Sequence, residues 1–236
     1  MHVIPAVDIM NGCVVRLVKG NPAEKLIYAN DPIEIAKKWE GEGADSLHVV
    51  DLDAALRTGI TNTGIVSKLI QEVNIPVEVA GGIRSLSAVT EMLNRNAAKV
   101  VLGTLAHKDP ETVKQLAKRN PNKIVISLDH IDGNVMVDGW RMSSGSTVID
   151  SLILFMNMGI SEFLLTSVDR DGTMSGPDIS ILSTATNFTG AKIIASGGVS
   201  SIVDAIKIRN IGCSAVILGK SIYEGMLSVA RVKSVF

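Results

Sequence analysis

The sequence predicts an α/β fold, a single (βα)8 TIM-type barrel of 236 residues with internal two-fold half-barrel symmetry. Short β-branched runs alternate with amphipathic segments along the whole chain. Eight such runs occur, each short and apolar on both faces and with no hairpin turn read between them, as a buried parallel sheet requires. The second half also repeats the first. Val79–Ser85 (VAGGIRS) returns as Ala195–Ser201 (ASGGVSS), matching Gly81 to Gly197, 116 positions on. Val100–Thr104 (VVLGT) returns as Val216–Lys220 (VILGK), and His48–Asp53 lines up with Leu164–Asp169, both at that offset. Asp8 answers to Asp129, 121 positions on. Solenoid units run only about 20–50 residues, so a period this long marks two halves of one structure.

The strands are expected, in order, at Val3–Val7, Ser46–Val50, Val77–Val79, Val100–Leu102, Ile124–Leu128, Glu162–Thr166, Lys192–Ala195 and Ala215–Leu218. Helices fill the intervals. Asp31–Glu40 and Asp109–Lys118 each open with an N-cap Asp followed by Pro at the first helical position. Ser85–Leu93 and Ser200–Ile208 each follow a Gly-Gly turn with Ser near the cap. Trp39, Met92, Met156 and Met158 fit packing positions in this scheme. Right-handed parallel crossovers favour closure of eight βα units into a barrel of about 250 residues. An open doubly wound sheet is the alternative, and two equal four-strand halves argue against it. No linker or charge run separates the halves, so one domain is expected over 1–236, with half-barrels of about 1–120 and 121–236.

Composition narrows the function. A formal net charge of −1 gives nucleic acid and anionic membranes no footing, and 3% aromatic residues provide no stacking platform for single strands. Cys13 and Cys213 lie in apolar runs outside any CxxC or Cys/His cluster and read as buried thiols of a reduced compartment. The N-terminus lacks a basic segment followed by a long apolar one, and no run approaches the about 18 apolar residues of a membrane span. A cytoplasmic protein is expected.

In such a barrel the active face lies at the strand C-termini, and that is where the informative residues fall. Asp8 ends the first strand, Asp51 and Asp53 the second; Gly81-Gly82 follow the third and Gly103-Thr104 the fourth. The second half repeats this with Asp129, with Thr166, Ser167 and Asp169, with Gly197-Gly198 and with Gly219-Lys220. Glycine admits close approach of backbone to ligand, and a helix N-terminus behind it offers free N–H groups to a phosphate. Gly81, Gly82, Gly103 and Thr104 would then form one phosphate cup, with Arg84 adding charge. Gly197, Gly198, Gly219 and Lys220 would form the other. Two facing cups imply a small-molecule substrate with a phosphate at each end.

Asp8 and Asp129 come from opposite sides of the barrel and suit paired acid–base work, one ionised and one protonated. No HExxH pair, Cys/His cluster or EF-hand loop suggests a metal, and no Lys at a strand end suggests a Schiff base. His48, inside a strand, reads as core; of the four histidines only His130, beside Asp129, stands out. The polar, glycine-containing stretches 20–31 and 132–146 read as mobile loops able to exclude water from the site.

Together Pro5–Asp8, Val14–Gly20, His48–Asp53, Gly81–Ser85, Ser127–Asp129, Gly139-Trp140, Asp171–Thr173 and Gly197–Val199 resemble the ProFAR isomerases of histidine biosynthesis, over nearly the whole chain. The resemblance implies a two-fold symmetric (βα)8 barrel that carries out an Amadori rearrangement of an aminoaldose to its aminoketose. It implies Asp8 as proton acceptor, Asp129 as proton donor and Thr166 as the orienting hydroxyl. Substrate contacts are implied at Arg16, Gly20, Trp140, Asp171, Gly172 and Thr173. It implies a monomer, and no cofactor, because an iminium nitrogen serves as electron sink. The related cyclase family shares the barrel, both acids and both cups. It has Cys-Leu-Asp where this chain has Ala6-Val7-Asp8, Lys where this chain has Arg16, and no Gly-Trp pair. Some relatives also isomerise phosphoribosyl anthranilate through Arg residues in the first and fifth loops. Arg16 and Arg141 lie in those loops here, so a second activity stays open.

Overall fold

Strand and helix alternate from the first residues to the last. The computed structural model describes residues 1–18 and 20–236. β1 (His2–Met10) turns back through β2 (Cys13–Val18) and β3 (Asn21–Ala29), and α1 (Pro32–Gly41) leads to β4 (Leu47–Asp51). α2 (Leu52–Leu56) and α3 (Thr63–Glu72) precede β5 (Val77–Ala80), and α4 (Leu86–Asn94) leads to β6 (Lys99–Leu102). α5 (Thr104–Lys108) and α6 (Pro110–Arg119) reach β7 (Ile124–Ile131), which opens a second antiparallel excursion, β8 (Asn134–Val137) and β9 (Met142–Thr147). Then follow α7 (Val148–Asn157), β10 (Glu162–Ser167), α8 (Ile179–Thr186), β11 (Lys192–Ser196) and α9 (Ile202–Asn210). β12 (Ala215–Leu218), α10 (Lys220–Tyr223) and α11 (Val229–Lys233) complete the chain.

The sheet runs β1-β4-β5-β6-β7-β10-β11-β12 and returns to β1, every one of these pairings parallel. All eight expected strands are present and the barrel closes. Alternation along each strand splits the apolar side chains into two layers. Ile4, Ala6, Val101, Val125, Leu164 and Ile217 fill the barrel interior. Val3, Val7, Leu47 and Val49 face outward, into the layer that also holds Trp39 and Leu116 of the helices. Each such buried side chain contributes about 1.5–3 kcal/mol. The expected caps also form. Asp31 accepts from Ile33 N and Glu34 N, Asp109 from Thr112 N, Ser85 from Ala88 N, and Ser201 closes a capping box with Asp204.

Three expectations are corrected. The stretches 20–31 and 132–146 are largely strand, and hairpin turns do accompany the barrel strands. Asn11-Gly12 joins β1 to β2, and Asp132-Gly133 joins β7 to β8. All four residues adopt positive φ (51°, 76°, 47° and 78°), the two-residue turn that suits a right-twisted hairpin. The two turns lie 121 positions apart, the same spacing as Asp8 and Asp129. Cys213 is buried, but Cys13 is only half-buried, because it starts β2 directly after the Asn11-Gly12 turn.

Side-chain parity brings the acids inward. Asp8 lies two residues beyond the interior Ala6, and Thr166 two beyond the interior Leu164. The β7–β10 register sets Asp129 beside Thr166, while Asp8 is paired with Val50 of β4.

Candidate active site

Asp8, Asp129 and Thr166 line one pocket at the C-terminal end of the barrel. Asp8 is held by a neighbour from the first hairpin. Arg16 Nη1 donates to Asp8 Oδ2 at 2.7 Å, and its Nη2 stands 3.7 Å from Asp171 Oδ1. Burial opposes the charge on Arg16, but Asp8 and then Asp171 outweigh it and raise its pKa, so the guanidinium remains a cation. Asp171 experiences the reverse. Burial pushes its carboxyl up to about 6; Arg16 opposes that shift, and the like charges of Asp8 and Asp129 reinforce it.

Asp129 is held from two sides. Ser127 Oγ donates to Oδ1 at 2.7 Å, and the Trp140 indole Nε1 donates to Oδ2 at 2.8 Å. An indole N–H can only donate, whereas a hydroxyl can also accept. The Ser127 contact therefore survives protonation of Asp129 at Oδ1.

The chain presents Trp140 through a left-handed turn, Asp138, Gly139 and Trp140 having φ of 55°, 68° and 67°. Such backbone costs about 1–2 kcal/mol at each non-glycine residue, and several contacts hold it. Lys108 Nζ reaches Asp138 Oδ2 at 2.7 Å, Arg141 Nε donates to Asp138 O at 3.0 Å, and Asp138 N donates to Thr104 Oγ1 at 2.9 Å. The indole then lies over Gly20 of the first hairpin, so tightly that a Cβ on Gly20 would come 2.6 Å from Trp140 Cε3.

The residues expected to form the two cups surround this mouth. Gly81, Gly82, Arg84, Gly103 and Thr104 line the pocket that holds the acids. Gly172, Gly197, Gly198, Gly219 and Lys220 line an adjoining one, and Arg16 and Asp171 line both. Gly81 and Gly197 are required by close packing. Gly81 has φ +91°, and a Cβ there would collide with the Asp51 carbonyl; Gly197, at φ +90°, would meet the Ser167 carbonyl at 2.7 Å. Asp51 and Ser167 are themselves 116 positions apart, so the two-fold repeat extends to the contact.

The helices behind the glycine turns differ in how many first-turn N–H groups they leave open. α4 and α9 are capped by Ser85 and Ser201, whereas α5 and α10 begin at Gly103 and Gly219 with no side-chain cap. The serine caps take one first-turn donor each, Ala88 N and Asp204 N, and α5 and α10 have no side chain taking any. Tyr223 fixes α10 to the barrel, its hydroxyl donating to Ala6 O at 2.8 Å.

Some side chains differ in detail from expectation. Arg84 lines the pocket, but its guanidinium donates to Ala54 O (2.8 Å) and Ala55 O (2.7 Å) at the end of α2. Lys220 Nζ bonds Gly172 O at 3.2 Å. Thr173 lines neither pocket, because its hydroxyl turns back to Arg170 O at 2.6 Å. Asp51 and Asp53 are structural, accepting from Ala54 N and Asn62 and from Asn11 N and Thr58 respectively. His130 is buried, lines neither pocket and is bonded locally to Gly133 N. His48 and Ser127, by contrast, line the pocket floor. Ser127 was readable as the residue two before Asp129 on the same strand face. No group of three or more potential metal ligands occurs among the described residues, and no helix there is long and apolar enough to cross a membrane.

Comparison with known proteins agrees with this geometry. The model of the family described as "Histidine biosynthesis protein" matches residues 2–228. A ProFAR isomerase of Nitrosopumilus maritimus is 45% identical over 99% of this chain and 98% of its own length. Isomerases of the same name from Cenarchaeum symbiosum and Halothermothrix orenii are 45% and 42% identical, covering 97% and 96% of both chains.

Proposed function

This chain belongs to the histidine biosynthesis protein family, and from that premise we propose that it carries out the reaction for which its full-length relatives are named, the isomerisation of ProFAR. The observation that supports this most directly is the placement of Asp8 and Asp129 in one pocket between two glycine-rich cups. A substrate with a phosphate at each end would span the cups and set its reacting sugar between the acids.

The proton steps follow from that arrangement. A protonated carboxyl gives its proton to the furanose ring oxygen; the C1–O bond breaks, and the nitrogen lone pair forms an iminium. Asp8 takes the C2 proton, and the C–H electrons flow to nitrogen to give an enolamine. Loss of the enol proton and protonation at C1 give the aminoketose. The iminium nitrogen is the electron sink, so the chemistry calls for no redox group. Acid–base help of this kind supplies about 10²–10⁴-fold in rate. Asp129, with Thr166 beside it, is the donor that the resemblance implies. Asp171 is a second reading for that role, favoured by its carboxyl being pushed up to about 6. The cytoplasm is the compartment this soluble-substrate chemistry fits.

The test is a spectrophotometric isomerase assay with ProFAR, run beside phosphoribosyl anthranilate. Turnover of ProFAR supports the proposal, and turnover of both adds the second activity and directs attention to Arg16 and Arg141. Turnover of neither, with the product ketose and ammonia consumed instead, overturns it in favour of a cyclase.

A further inference from the structure

The two hairpin turns are anchored by different chemistry. In the first, Gly12 N donates to Asn62 Oδ1 at 3.1 Å, and the Asn62 amide also spans Asp51 and Asp53. In the second, Gly133 N donates to His130 Nδ1 at 3.3 Å. Gly12 and Gly133 are 121 positions apart, and so are Ile9 and His130, which pair with Val14 and Val135 in their hairpins. Asn62 answers to Asp178, 116 positions on, but that carboxylate caps α8 by accepting from Ile181 N at 3.2 Å. The acceptor of the turn has thus moved from an amide before the next helix to an imidazole within the hairpin's own strand.

Packing does not ask for a histidine here. Ile9 and His130 are both buried, at 0% and 2% exposure, so an apolar side chain fills the equivalent place in the first half. The imidazole adds an acceptor that exists in one protonation state only. A backbone N–H donates, so Nδ1 must be bare and the neutral ring carries its proton on Nε2. An imidazolium has two N–H groups and no lone pair for the turn, whereas the amide of Asn62 does not titrate.

We propose that His130 is a pH-sensitive positioning residue: neutral, it holds the Asp132-Gly133 turn of the hairpin that carries Trp140, and protonated, it releases that turn. Burial lowers the pKa of the imidazole from 6.5, while Asp178 at the start of α8, Asp129 on β7, Asp169 after β10 and Asp132 in the turn favour the cation. The anchored state therefore prevails at neutral pH and gives way below the usual histidine range. The hairpin supplies Met136, Val137, Gly139 and Trp140 to the pocket, so release at the turn reaches the mouth and, through the indole, Asp129. The bond to Gly133 is long, so its loss is a weak effect. The consequence for substrate binding rests on the isomerase reading above; the titration of the turn does not.

His130→Asn keeps an acceptor attached, like Nδ1, to Cγ, and that acceptor does not titrate. NMR spectra of both chains are followed from about pH 8 to about pH 5, the range in which histidine changes charge. In the unaltered chain the Gly133 amide signal should move with the same midpoint as the His130 imidazole, below 6.5. In the variant that step should be absent. Over the same range KM for ProFAR should rise severalfold more in the unaltered chain than in the variant. An imidazole that stays neutral down to about pH 5, a Gly133 amide that does not follow it, or equal rises in KM overturn this inference alone. If the variant does not fold, the two midpoints in the unaltered chain decide it. No turnover of ProFAR by the unaltered chain overturns the isomerase reading, and the Gly133 titration still decides this one.

Discussion

The Trp140 indole donates to Asp129 Oδ2 at 2.8 Å while its ring lies over Gly20. The side chain that closes the mouth is thus also the one that orients an acid inside it. Closure by the two hairpins and assembly of the acid site are coupled through one residue.

Trp140→Phe separates those roles, since it retains a ring over Gly20 and deletes the N–H. Asp129 would keep Ser127 alone. We expect kcat to fall about tenfold, the worth of one hydrogen bond, with a smaller change in KM. Steady-state kinetics check this, and an unchanged kcat would remove Trp140 from the acid's support.

Gly20→Ala attacks the same contact from the other side. The new Cβ would stand 2.6 Å from Trp140 Cε3 on backbone with φ +70°, so the hairpins must part. KM should rise severalfold. Gly159→Ala is the control, with φ +90° and nothing within 4 Å of its Cβ. It should cost only about 1 kcal/mol of stability and leave KM alone.

Asp8→Asn and Asp129→Asn should each reduce turnover by at least about 10²–10⁴-fold while largely sparing bisphosphate affinity. Their stabilities should differ. Asp8→Asn leaves the buried Arg16 only the Asp171 carboxyl at 3.7 Å, so its melting temperature should drop, whereas Asp129 is no partner of Arg16. Thermal melts beside the activity assay test both halves, and full activity in either variant would sink the mechanism.

Asp171→Asn should change stability in a pH-dependent way. The Asp171 carboxyl is raised from 3.8 to about 6, so between those values the folded chain binds more protons than the unfolded one. Its contribution is fully present below pH 3.8 and is lost as pH rises through about 6. The variant should therefore be more stable than the unaltered chain above pH 6, by at most about 3 kcal/mol and seen as a higher melting temperature, with the gain vanishing toward pH 4. A difference independent of pH would contradict the raised pKa.

The barrel was legible because its signals are local. β-branched runs mark the eight strands, caps such as Asp31 and Asp109 mark helix starts, and the repeat of Gly81 at Gly197 marks the symmetry. The hairpins were less so. Asn11-Gly12 and Asp132-Gly133 are strong turn signals, but β3 (NPAEKLIYA) is mostly exposed and β9 (MSSGST) has almost no apolar residue. Strands that bury little carry little periodicity.

In the site, Asp8, Asp129, Thr166 and the glycines could be located by strand ends and motif. The direction of the remaining side chains could not. Whether Arg84 faces a ligand or the carbonyls of Ala54 and Ala55, and whether the Thr173 hydroxyl faces the mouth or Arg170 O, depends on partners that the one-dimensional pattern does not name.

The sequence by itself determined the fold class, the two-fold repeat and the strand ends that carry the chemistry, since hydrophobic periodicity, capping and positive-φ turns act over a few residues. Only the tertiary structure decided how those ends are wired. Arg16 meets Asp171, Gly20 meets Trp140 and His48 meets Glu78 across separations of 155, 120 and 30 residues. Barrel closure sets those distances, and an ion pair or hydrogen bond exists only within a few ångströms of its partner.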